Sequence, residues 1–92
     1  MNQDWAEALA LQALTYIVAE SMLYARFFDM TGLNPADMRA NITDAAFLGA
    51  VLDFLLGHEP SLLAFCAATG IAPQDPARAR VLLLGDTAPD WS

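Results

Sequence analysis

Five side chains in this sequence could do chemistry if the fold brought them together: Arg39, Asp53, His58, Glu59 and Cys66. A histidine beside a glutamate is material for proton transfer, and a thiol near a histidine is material for nucleophilic attack. The spacing argues against both. His58 is the only histidine and Cys66 the only cysteine, so a zinc or iron ion lacks the set of nitrogen, sulfur and carboxylate ligands it needs. His58 lies between Gly57 and Glu59-Pro60, which reads as a loop residue before a helix, with Glu59 favouring the positive helix end. Cys66 follows Phe65 and stands four residues after Leu62, the register of an apolar helix face, and is expected as a core thiol. Asp53 interrupts an apolar stretch. It reads either as part of a solvent stripe with Gly49 and Ala50 or as a buried partner of Arg26 or Arg39. The other acids are scattered, with no opposed pair of the kind glycoside hydrolysis uses. No catalytic, metal-binding or cofactor-binding residue is expected. A pocket gathering several of Arg39, Asp53, His58 and Glu59 would reverse that expectation.

These residues sit in a chain of 92 residues with net charge −7, four arginines, no lysine and 11 acids. Phosphate backbones reward the opposite balance, so nucleic-acid binding is not expected. The acidic start, Met-Asn-Gln-Asp-Trp-Ala-Glu, does not resemble a secretory signal, and the most apolar run, 8–19, is too short for a membrane span. The expectation is a cytoplasmic protein without a membrane partner.

Eighteen alanines and 14 leucines against six valines and isoleucines favour helices over strands. The punctuation predicts six of them. Asp4 and Glu7 form a capping-box pattern for a helix over 5–19, and Ser21 caps a second over 22–31. Gly32 ends that one in a left-handed cap, and Asn34-Pro35 opens a third over 35–41. A fourth runs from Thr43 or Asp44 to Leu56, a fifth from Glu59-Pro60 to Gly70, and a sixth from Asp75-Pro76 to Gly85. Thr31 and Thr69, one before each glycine, are expected to satisfy terminal carbonyls.

An offset of 38 residues superposes the chain on itself. Residues 8–37 and 46–75 share seven identities in 30 pairs, including Phe27/Phe65, Thr31/Thr69, Gly32/Gly70, Pro35/Pro73 and Asp37/Asp75. Composition alone gives about 2 to 3. The reading is two tandem helical-hairpin-like repeats, about 8–40 and 46–80, in one all-α bundle over 1–85 with a tail at 86–92. Gly32, Pro35, Gly70 and Pro73 supply the caps and turns. As DNA-reading turns these fail, because in the first copy the large Phe28 stands where a small residue is normal, and in the second Pro76 stands where an apolar helix residue is needed.

The run Phe27-Phe28 through Thr31-Gly32-Leu33, Pro35 and Arg39, then Phe47 to Leu56 with Glu59, then Ala64-Phe65 through Gly70-Ile71 and Pro73, resembles a family of short, functionally uncharacterised bacterial proteins, a domain of unknown function. The resemblance covers about 9–85. It implies an intact small helical domain and carries over no site residue.

What remains is an apolar excess. With glycine and without tyrosine, 55 of 92 residues are apolar, above the usual half. The helices over 5–19 and 44–56 are apolar over most of their circumference, and Val81 to Leu84 adds a third apolar run. The function expected is a non-enzymatic interaction module, most simply a homodimer, with Trp5, Leu9, Tyr16, Leu82 and Trp91 as contact residues. An unidentified protein partner is compatible with the same surface. Two other readings stay open: a carrier holding a small apolar ligand among Phe27, Phe28, Phe54, Phe65 and methionine side chains, and an acidic regulator of a basic protein.

Overall fold

The computed structural model describes residues 2–85, and within them every regular element is an α-helix: α1 Gln3–Ala19, α2 Ser21–Thr31, α3 Pro35–Ala40, α4 Ala45–Leu56, α5 Glu59–Thr69 and α6 Asp75–Leu84. Helix α4 is the axis of the core. Its Leu48, Val51, Leu52 and Leu55 have no exposed surface, because α1 and α6 pack along it and α5 joins it from the adjoining corner. Helix α6 in turn packs on α1, so α1, α4 and α6 form a closed three-helix contact. Helix α2 packs on α1, and α3 is a one-and-a-half-turn connector that buries Met38. No single helix is long and apolar enough to cross a membrane.

The helix starts separate prediction from structure. Asn34 and Asp37 form the reciprocal capping box at α3, with hydrogen bonds of 2.9 and 3.2 Å, and Asp44 caps α4 through the Ala46 amide at 3.0 Å. At α1 the cap is Asn2, whose Oδ1 accepts from the Trp5 amide at 2.9 Å, so the helix begins two residues before the Asp4/Glu7 pattern indicates. Asp4 instead lies in the first turn, where its charge meets the helix dipole. Ser21 is the first residue of α2 and does not cap it. The cap position belongs to Glu20, which also ends α1 (φ −102°, ψ 108°) and makes no side-chain cap bond.

Some features match across the offset of 38. Helices α1 and α2 meet at 110° and α4 and α5 at 107°. Gly32 (φ 69°) and Gly70 (φ 76°) both take the left-handed conformation that ends a helix. Thr31 and Thr69 each donate to the carbonyl four residues back, Phe27 or Phe65, at 2.8 Å. Phe27 and Phe65 are completely buried. The halves then diverge. Pro35 opens α3, whereas Pro73 lies in a turn and Pro76 is the proline in the first turn of α6. Phe28, which aligns with Cys66 across the offset, is 42% exposed, while Cys66 is buried.

Candidate functional site

The reactive residues are dispersed. His58 precedes α5, and its Nδ1 lies 2.6 Å from the hydroxyl of Ser61, three residues on and itself buried. This i,i+3 contact at a helix start ties the entering chain to the first turn, and Glu59 beside it is exposed. Asp53, on α4, pairs with Arg80 on α6. That replaces the expected partners: Arg26 instead lies over the Phe54 ring, 5.7 Å from its centroid, and Arg39 sits exposed on α3. Asp53 is also not buried, its side chain being 44% exposed, and it shares the outer face of α4 with Ala50. Gly49, expected on the same solvent stripe, is buried beneath Leu84. The Asp53–Arg80 pairing spans 27 residues and needs the α4–α6 contact to exist, so nothing in the local sequence signals it. The His58–Ser61 contact was visible in principle, as a polar pair three apart at a helix start.

Burial pushes the Cys66 thiol up from its ordinary value, and the Asp75 carboxylate adds to the shift. A thiol held protonated is a poor nucleophile and metal ligand. Among the described residues no group of three or more histidine, cysteine and acidic side chains is placed to hold a metal ion.

The Asp53–Arg80 pair has a structural role that can be measured. Its two side chains are 44% and 17% exposed, so solvent screens much of the attraction. A double-mutant cycle with Asp53→Asn and Arg80→Gln is expected to give a coupling of about 0.5–1 kcal/mol, falling as salt rises. Urea denaturation of the four proteins checks this, and zero coupling at low salt refutes it.

The aromatic side chains fill space instead of enclosing it. Phe27 meets Phe54 edge-on with centroids 5.3 Å apart and Phe47 at 6.4 Å, and Phe65 meets Tyr16 at 5.6 Å. Phe28 stacks edge-on with Tyr24 on the outside of α2. Phe27, Phe54 and Phe65 are buried in the core, while Tyr24 and Phe28 line an open depression on the outside of α2.

The expected contact residues are redistributed by folding. Leu9 is 3% exposed and belongs to the core, since α1 turns it toward α4 and α6. Trp5, Tyr16 and Leu82 are half-buried and pack against that core, which leaves only part of each for a partner. Trp91 lies outside the described residues. The large exposed apolar side chains of α1 are Leu11 (37%) and Val18 (39%). Leu11 belongs to an open groove of about 640 Å³ between α1 and the end of α5, lined by Ala8, Leu11, Thr15, Tyr16, Ala19 and Ala68, with Gln12 and Thr69 at its edges. No lining residue carries a charge. The small side chains follow from the 3.6-residue period, which brings positions 8, 12, 15 and 19 of α1 onto one face. Thr15 turns its hydroxyl inward along the helix, donating to the Leu11 carbonyl at 2.9 Å, so even this polar residue presents little to a partner.

In comparison with known proteins, the profile of a family described as "Protein of unknown function (DUF3572)" covers residues 3–86. No curated protein and no solved structure matches the chain.

Proposed function

Since this chain belongs to the DUF3572 family of proteins of unknown function, we propose its role from its surface: a non-enzymatic interaction module that pairs with a second copy of itself across the α1–α5 groove. The supporting observation is that a chain of net charge −7 carries here a groove without a charged residue. Two such chains repel wherever their acidic faces meet, and the repulsion is weakest where uncharged faces meet. The small residues let a partner helix approach closely, and Leu11 supplies an apolar ridge at a twofold contact, where each residue meets its own counterpart or a neighbour. An acidic regulator of a basic protein would present clustered carboxylates, and this groove has none.

The test is the mass in solution. The native chain is expected to sediment at twice 9.9 kDa at micromolar concentration. Leu11→Glu places two carboxylates in the contact and is expected to weaken association at least about tenfold, because unpaired buried charge is costly. Val81→Glu, at an exposed position of α6, is expected to leave the mass unchanged. A native chain that stays at 9.9 kDa overturns the reading, as does equal disruption by both variants.

A further inference from the structure

Of the four cations in this chain, three are engaged: Arg26 on the Phe54 ring, Arg78 with Asp75 at 3.6 Å, and Arg80 with Asp53. Arg39 has no such partner among the described residues, although nine acids lie among them. It stands instead at the rim of a pocket of about 190 Å³ between α1 and α3, whose other walls are Leu14, Val18, Pro35, Met38 and Ile42. The nearest acids on its own element and at the next helix start are occupied. Asp37 is held in the α3 capping box, and Asp44 caps α4.

We propose that this pocket binds a small monocarboxylate with a compact apolar body, such as an aryl- or branched-alkyl-acetic acid. The apolar body would rest on the exposed Val18 and Ile42, above the buried Leu14 and Met38, and the carboxylate would meet the guanidinium, which presents paired N–H donors in the geometry a carboxylate accepts. The volume is about that of one substituted ring. A neutral apolar molecule would leave Arg39 unused, a cation would meet it directly, and a long acyl chain would exceed that volume. The net charge of −7 opposes the arrival of any anion, but at physiological salt that field is screened beyond about 8 Å, so Arg39 dominates locally. With few heavy atoms and an open pocket, the expected dissociation constant is about 1 mM. The site is separate from the α1–α5 groove and does not depend on self-association there.

The probe is phenylacetate, titrated into the full chain and followed by two-dimensional ¹H–¹⁵N spectra. Saturable shifts are expected at Val18, Met38, Arg39 and Ile42. 2-Phenylethanol, of similar size without the charge, is expected to bind at least about fivefold more weakly. Arg39→Gln, an exposed substitution, is expected to remove that preference while leaving the melting temperature unchanged. Three results overturn the proposal: equal binding of the two compounds, undiminished phenylacetate binding by Arg39→Gln, or shifts confined to other parts of the molecule. Absence of any shift to 10 mM, about ten times the expected constant, also overturns it.

Discussion

Phe27→Ala is expected to remove about 3–5 kcal/mol of stability, while the same change at the next residue, Phe28→Ala, removes about 1 kcal/mol or less. The two side chains are chemically identical and adjacent in sequence. Phe27 has no exposed surface and touches the Phe47 and Phe54 rings edge-on, so it joins α2 to α4, and its removal leaves a cavity that neither ring can fill alone. Phe28 is 42% exposed and, among the rings of the described residues, touches only Tyr24, on its own helix. A domain of this size has a total stability toward the lower end of about 5–15 kcal/mol, so the Phe27 variant loses much of it. Circular dichroism melts are expected to show a fall of about 20 °C for Phe27→Ala and only a few degrees for Phe28→Ala. Equal falls would mean that α2 is not anchored through Phe27.

The second large effect concerns the α4–α6 contact. A Cβ at Gly49 would lie within 2.7 Å of Cγ, Cδ1 and Cδ2 of Leu84 at once, so moving one methyl group does not relieve it, and the whole Leu84 side chain has to leave. Gly49→Val, which adds three carbons there, is expected to cost about 2–3 kcal/mol, net of a few tenths recovered from better helix propensity. Leu84→Ala empties the space that valine needs. In the double variant the two losses are therefore expected to be less than additive by about 1 kcal/mol or more. Urea midpoints for the native chain, both single variants and the double variant decide this. A neutral Gly49→Val refutes the close approach.

The helical class, the six elements and most of their ends were legible because they depend on local chemistry. Asn34-Pro35 and Asp44 at starts, and Gly32, Gly70 and Gly85 at ends, act within a few residues of where they stand. The corner at Glu20 was placed within a residue although no glycine or proline marks it. The capping of α1 and α2 was misassigned because several polar residues compete at each start, and the competition is decided by where the helix docks. Less legible was which apolar residues are spare. Helix α4 is apolar around most of its circumference because three helices surround it, so most of the compositional excess is core. Leu9 and Leu11 look equivalent in sequence, and only the direction of α1 against α4 and α6 buries one and exposes the other. For the same reason Asp53–Arg80 and the Arg39 pocket could not be read beforehand: each joins residues from different helices.

Helix α6, the last element of the described chain, packs on both α1 and α4, the helices that carry most of the core. During synthesis those two helices emerge first and the one that covers them emerges last. The nascent chain therefore cannot complete this core until α6, through Leu84, has emerged from the ribosome. Until then the apolar faces of α1 and α4 that α6 covers remain open to water, to chaperones and to neighbouring nascent chains. The interval between the emergence of α1 and α4 and the docking of α6 is therefore the one in which these faces are most exposed to aggregation.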